Sequence, residues 1–305
     1  MSETARAERA RAIGRELAQE MLARRQEALN SREEALAELA GGARRGLGGP
    51  GGATTAGHLV AEGDSWFDYP FFDVIQLLED EHGYDVESVA HMGDAIEEMA
   101  YGGSQLADFL RCLEKLERRG VRPKAVLLSG GGNDVAGDVF SMLLNHQRSP
   151  LAGLNAKVVE GVIDERIRDA YVTILGAVTE SCRAKFGHEV PILLHGYARP
   201  VPDGRGFWGG AWFLPGPWLE PGFRQKGFAN REDRIRLAGE LIDRFNEMIR
   251  QVAELPDFDH VHYLDLRPAL SNGDDYKDSW GNELHPTRSG FQAVTRIFVE
   301  ALQGL

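Results

Sequence analysis

Four short stretches of this chain carry side chains that could act together: Ser65 in "HLVAEGDSWFDYP", Gly93 in "VAHMGDAI", Asn133 in "LLSGGGNDV" and His285 in "WGNELHPTRSGF". A serine hydroxyl is a weak nucleophile until a neighbouring imidazole takes its proton. Its attack on a carbonyl creates an oxyanion, which neutral donors on fixed elements stabilise. A glycine just ahead of a helix offers an unpaired backbone N–H, and an asparagine offers a side-chain NH2. Taken singly, each of the four is an ordinary turn or loop residue. The glycine run Gly130–Gly132 could also approach a phosphate. It lacks the Lys and Ser/Thr of a P-loop, however, and the spacing of the dinucleotide fingerprint.

Something must bring these four residues to one place. The apolar runs "HLVAEG", "YDVESVA", "KAVLLSG", "PILLHGY" and "HVHYLDL" read as strands. Helical patterns lie between and after them: "FFDVIQLLEDEHG", a stretch from Asp94 broken at Gly102-Gly103, and residues 162–186, 231–254 and 287–303. Short apolar strands alternating with helices predict a parallel sheet covered on both faces. In such sheets functional groups gather at the carboxyl ends of the strands, where the candidates fall.

The order is the informative feature: a Ser after the first strand, a Gly after the second, an Asn after the third and a late His. With the blocks "GDS", "MGD", "GGND" and "NELHP", residues 57–303 resemble the SGNH (GDSL-type) hydrolase superfamily. The resemblance implies an α/β fold, a three-layer α/β/α flavodoxin-like sandwich with a five-stranded parallel sheet. It makes Ser65 the nucleophile and His285 the general base. The Ser65 N–H, the Gly93 N–H and the Asn133 side chain become the oxyanion hole. The implied activity is cleavage of small-molecule or lipid carboxylic esters, thioesters included, through an acyl-serine intermediate. No metal or organic cofactor is implied. His260 and His262 alternate on a strand without the Cys or acidic cluster of a zinc site.

The match breaks at one position. The family has an Asp three residues before the His, and here that residue is Asn282. In one protease triad an Asp-to-Asn change cost about 10⁴ in kcat through the wrong tautomer. The Asn282 carbonyl and Asp278 are the leading candidates to orient His285. Glu283 turning inward, Asp265 reaching across from the fifth strand, or a backbone carbonyl are the others.

Between the fourth strand and the next helix, residues 198–230 form an insertion with three of the five tryptophans and many Gly and Pro. A connection this long is usually functional or disordered, and the aromatic load argues against disorder. Trp208, Trp212, Phe213 and Trp218 are therefore expected as a lid or wall, with Trp66, Phe67 and Tyr69 near the same mouth. Such a surface suits an apolar acyl or aryl group, although aromatic platforms also stack on sugars. The plainer alternative is a loop that packs down as an extension of the core.

The 305 residues, 43% hydrophobic and 27% charged, suit a soluble α/β domain with appendages. The expected division is a helical N-terminal extension (1–40), a Gly-rich linker (41–56) and the hydrolase-like domain (57–305). Ser31 and Glu34 look like a capping box, which predicts two helices within 1–40. Leu22, Leu29 and Leu36 recur every seven residues, but the companion column is too polar for a coiled coil. This extension is either a solvated helix or an element for self-association or a protein partner. A net charge of −13 disfavours nucleic acid and anionic lipid. No apolar run reaches the roughly 20 residues of a transmembrane segment. The charged first residues lack a secretory apolar core, and two cysteines form no framework. Cytoplasmic residence is the expectation. Two rival functions use the same residues: a catalytically degenerate binding module that works through its N-terminal helices, and an acyltransferase.

Overall fold

The computed structural model describes residues 2–39, 55–207 and 215–305. The five apolar runs form strands β1 (Gly57–Glu62), β2 (Tyr84–Ser88), β3 (Ala125–Leu128), β4 (Ile192–His195) and β5 (Val261–Leu264). All pair in parallel, in the order β2-β1-β3-β4-β5. Every residue of β3 and β4 is buried. Covered on both faces, these strands show unbroken apolar runs rather than alternation.

The helices begin and end where local chemistry dictates. Asp73 accepts the Gln76 N–H to start α2 (Val74–His82), and Gly83 ends it at φ 71°. Gly102-Gly103 separates α3 (Ile96–Tyr101) from α4 (Ser104–Arg118). The helix expected from residue 162 begins instead as a π-helical segment, Glu160–Ile167, which leads into α5 (Arg168–Phe186). Then follow α6 (Glu220–Gln225), α7 (Arg231–Ala253), α8 (Tyr276–Ser279) and α9 (Arg288–Gly304). Helices α2 and α9 pack together on one face of the sheet, and α4, α5 and α7 cover the other. This is the three-layer α/β/α sandwich.

The N-terminal segment differs from its expectation in one respect. It is one helix, α1 (Glu3–Leu39), with no break at Ser31. It lies along the outside of α5 and touches α4. Ala10 and Ala18 are buried there, and the Thr173 hydroxyl donates to the Ala10 carbonyl at 3.2 Å. A Cβ on Gly14 would sit 2.0 Å from the Thr173 carbonyl oxygen, so only glycine permits this approach. Arg25 grips the buried Glu114 with two hydrogen bonds, at 3.2 and 2.7 Å. Of the linker expected at 41–56, residues 41–54 lie outside the described residues. Among those described, no helix is long and apolar enough to cross a membrane.

Candidate active site

In this strand order the chain leaves β1 toward β2 on one side and β3 on the other. The crevice between the ends of β1 and β3 is therefore the topological switch point, where open α/β sheets bind ligands. Ser65 follows β1 and Asn133 follows β3, so the topology alone brings these two loops together.

The Ser65 turn is built around Asp64. Its carbonyl accepts the N–H groups of Phe67 and Asp68, at 3.0 and 3.2 Å. Its buried carboxylate accepts from the Trp66 N–H at 3.0 Å, the Ser129 hydroxyl at 2.7 Å and the Tyr197 hydroxyl. Burial, and then the Asp64 charge, push the Tyr197 hydroxyl far above its ordinary pKa, so it remains a donor. One carboxylate thus ties the end of β1 to the ends of β3 and β4.

The Gly93 loop is pinned from both sides. His91 N–H donates to the Gly63 carbonyl at 2.9 Å, and Met92 N–H to the Asp68 carboxylate at 2.9 Å. From the β3 side, Asn133 Nδ2 donates to the Asp94 carbonyl at 2.8 Å, and Asp134 accepts the Ile96 N–H at 2.9 Å. Gly93 itself has φ 98°, a left-handed conformation that a side chain would strain. The N–H groups of Ser65 and Gly93 donate to no group among the described residues. Asn133 retains a second N–H beyond the one given to Asp94. Three neutral donors are therefore held on loops fixed by other bonds.

His285 closes the arrangement. Its Nε2 lies 2.7 Å from Ser65 Oγ, and its Nδ1 lies 3.1 Å from Asn282 Oδ1. That amide oxygen also accepts the backbone N–H groups of Leu284 and His285, both at 2.9 Å. Only an oxygen can occupy a position facing two N–H donors, so the amide orientation is fixed. Nδ1 must then carry the ring proton, which leaves the Nε2 lone pair facing the serine hydroxyl. Asn282 thus imposes the productive tautomer. The tautomer fault that an asparagine caused in the protease triad does not arise here. What the amide lacks is the charge that would stabilise an imidazolium. With the ring almost wholly buried, desolvation lowers the His285 pKa to about 3.

Tyr69 completes the support. Its ring stacks on the imidazole at 4.2 Å and 19°, and its hydroxyl accepts from Asn282 Nδ2 at 3.1 Å. Burial raises the Tyr69 pKa to about 12, so this hydroxyl stays neutral. Its closeness to the mouth was readable from the sequence. Its contact with residues more than 200 positions away was not.

The other candidates for orienting His285 fall elsewhere, and the expectation for Asp278 is corrected. Asp278 is exposed on α8, and its carbonyl, not its carboxylate, accepts from Thr287. The helical turn directs the acid to solvent while Asn282, three residues before the ring, reaches it first. Asp265 is paired with Arg267 at 2.6 Å. Glu283 is buried but turned away from the ring, toward residues 204 and 218–220.

A largely apolar cleft opens beside Ser65 and Asn133. Trp66 lines it, together with Val135, Phe140, Leu219, Leu241, Ile242 and Leu284. The Trp66 indole N–H is satisfied by the Leu284 carbonyl at 3.2 Å, and its ring, almost wholly buried, packs among His195, Tyr197, Trp280 and Phe291. Trp218 meets His285 edge-on at 5.6 Å. Trp208, Trp212 and Phe213 lie outside the described residues. The cleft's contribution from α7 was not foreseen, because no local signal distinguishes helix residues facing a pocket from those facing the core. Among the described residues no group of three or more His, Cys, Asp or Glu could hold a metal ion. His260 instead shares a hydrogen bond with Thr179 at 2.9 Å.

Among solved structures, similarity extends to a lipase from a goat rumen metagenome, 15% identical, covering 80% of this chain and 96% of that one with a TM-score of 0.47. It extends also to a variant of an acetylxylan esterase from Geobacillus stearothermophilus, 14% identical, covering 82% and 95% with a TM-score of 0.43. No curated protein matches the chain. The family model of GDSL-like lipases and acylhydrolases matches residues 51–293. With four-fifths of its length matched, and the serine, glycine, asparagine and histidine loops meeting at one end of the sheet, the chain belongs to the GDSL-like lipase/acylhydrolase family.

Proposed function

We propose that this protein is a serine hydrolase of carboxylic esters with an apolar acyl group, acting through an acyl-Ser65 intermediate. The observation that carries the reading is the 2.7 Å contact between Ser65 Oγ and a His285 Nε2 whose tautomer Asn282 imposes. As Oγ attacks the ester carbonyl, Nε2 takes the hydroxyl proton. The oxyanion that forms is met by the Ser65 N–H, the Gly93 N–H and the second N–H of Asn133. Collapse of the tetrahedral intermediate breaks the bond to the alcohol oxygen, which receives the proton from Nε2. Water then repeats the sequence on the acyl-enzyme and releases the acid.

The neutral partner of His285 gives the cycle a particular character. The imidazolium formed during attack has no carboxylate beside it, so the oxyanion is its nearest counter-charge. The apolar cleft beside Ser65 favours an acyl chain over a charged group, because a buried charge without a partner costs several kcal/mol.

The test is labelling of the purified protein with a fluorophosphonate, alongside hydrolysis of p-nitrophenyl acetate and hexanoate. Labelling and turnover that both vanish in Ser65→Ala support the reading. Folded wild type that neither labels nor turns over either ester refutes it.

A further inference from the structure

Glu283 is fully buried, yet it does not serve the histidine two residues away. Its Oε1 accepts the N–H groups of Gly204 and Glu220, at 2.9 and 3.1 Å. Its Oε2 accepts those of Trp218 and Leu219, at 2.7 and 2.8 Å. The Glu283 N–H in turn donates to the Arg205 carbonyl at 3.2 Å. One residue therefore binds two separate stretches of the 198–230 insertion to the loop that carries Asn282 and His285: its carboxylate holds residues 204 and 218–220, and its backbone N–H holds residue 205.

Two of the residues it holds face the site. Trp218 packs edge-on against His285, and Leu219 lines the apolar cleft together with Leu284. Four N–H groups converging on an anion form a strong and directional anchor, since charge-assisted hydrogen bonds are about twice as strong as neutral ones. A glutamine at this position would have the same shape. Either orientation of its amide would nevertheless turn an NH2 toward two N–H groups, and the anchor would lose half its acceptors.

We propose that Glu283 is a specificity-determining positioning residue: it clasps the Trp218-Leu219 wall against the cleft and so sets the preference for longer apolar acyl chains. The proposal rests on the esterase reading given above. It separates Glu283 from the catalytic residues, because its carboxylate touches only backbone groups of the wall. An acetyl group is too short to reach far along the cleft, whereas a hexanoyl chain must lie against Leu219.

The experiment compares kcat and KM on p-nitrophenyl acetate and hexanoate for wild type, Glu283→Gln, Leu219→Ala and the double variant, each checked by fluorophosphonate labelling. The expected result is a fall of about tenfold in the hexanoate-to-acetate ratio of kcat/KM for Glu283→Gln, carried by KM. That is the size of effect a misplaced apolar contact produces. Leu219→Ala shifts the ratio the same way, and the double variant falls little further, because both changes act on one wall. Equal losses on both esters, carried by kcat, would overturn the proposal and make Glu283 a support for His285. An unchanged ratio would also overturn it. If Glu283→Gln does not fold, a Leu219→Ala ratio equal to that of wild type is enough to reject the wall. Wild type that fails to label defeats the esterase reading itself, a result distinguishable from labelled variants with unaltered chain preference.

Discussion

Around His285 the contacts are directional, two hydrogen bonds and two aromatic rings, whereas along the seam between α1 and α5 close contact depends on the absence of side chains. The imidazole is fixed by Ser65, Asn282 and the ring of Tyr69. The seam is fixed by Gly14, Ala10 and Ala18, which let two helix backbones approach, with Gly176 meeting the Arg11 carbonyl from the other helix. Directional contacts set geometry and tautomer, and their loss is felt in rate. Close backbone packing contributes dispersion over many atoms, and its loss is felt in stability. The two regions should respond to mutation in opposite ways.

The largest effect belongs to Ser65, the proposed nucleophile. Ser65→Ala should lower kcat by about 10⁵- to 10⁶-fold, as removal of a serine nucleophile does elsewhere, with the melting temperature little changed. Steady-state kinetics and a thermal melt on one preparation check both halves.

Asn282 gives the next effect and the sharpest test of the neutral partner. Asn282→Ala removes the acceptor for Nδ1 and should cost about 10³-fold in kcat, short of the roughly 10⁴ of a wrong tautomer elsewhere. Asn282→Asp keeps an acceptor and adds charge, which stabilises the imidazolium and raises the His285 pKa from about 3 toward its ordinary range. In the proposed mechanism the neutral ring is the active base, so the wild-type kcat/KM profile should stay flat through pH 5–8, with no limb near the ordinary histidine value of about 6.5. The Asp variant should lose activity on the acid side of that range. A wild-type limb near 6.5 would contradict a buried His285 base with a lowered pKa.

Asn133→Ala should cost about 10²- to 10³-fold in kcat, the usual loss for one oxyanion donor. KM on acetate should move far less than kcat.

At the seam, Gly14→Ala sets a gain against a loss. Alanine favours a helix over glycine by about 1 kcal/mol, but the new Cβ would meet the Thr173 carbonyl oxygen at 2.0 Å. The clash should win, with a net loss of about 1–3 kcal/mol seen as a lower melting temperature. Turnover per folded molecule should be unaffected, so a large fall in kcat would break the comparison.

Glu62 lies between the two regions, and its effect depends on pH. It ends β1 in a small cavity with Phe109 and with Ile174 and Val178 of α5, and its Oε1 has no partner among the described residues. Burial first, then the charge of Asp94, raise its pKa to about 8. A folded pKa above the unfolded one gives stability that is complete below the unfolded value and lost as pH rises through the folded value. Stability should therefore decline between about pH 4.5 and pH 8. Glu62→Gln should weaken that decline, which melting temperatures across this range would show.

Much of the fold was legible because it rests on local chemistry. Strand β3 is a pure apolar run and β4 an apolar run ending in His195, Asp73 and Gly83 bracket α2, and Gly102-Gly103 splits α3 from α4. The four loops of the site were legible by their order along the chain. The break predicted at Ser31 was not found, because good helix formers on both sides outweigh one capping pattern. The choice between Asn282 and Asp278 was equally closed to sequence. Both lie close before His285, and only the path of the chain from α8 decides which side chain meets the ring and which meets solvent.

What the sequence determined by itself was therefore the set of elements and the identity of the groups: five strands, the helices between them, and a serine, a glycine, an asparagine and a histidine at loop positions. The tertiary structure alone decided how those groups are used. It turned an apparent defect, Asn282, into the residue that imposes the tautomer, by aiming two backbone N–H groups at its oxygen. It set Tyr69 on the imidazole, directed Glu283 away from the ring to residues 204 and 218–220, and folded α1 onto α5. The physical reason is common to all four. Each outcome depends on hydrogen bonds or contacts that close only when distant segments meet, and no periodicity or local propensity encodes them.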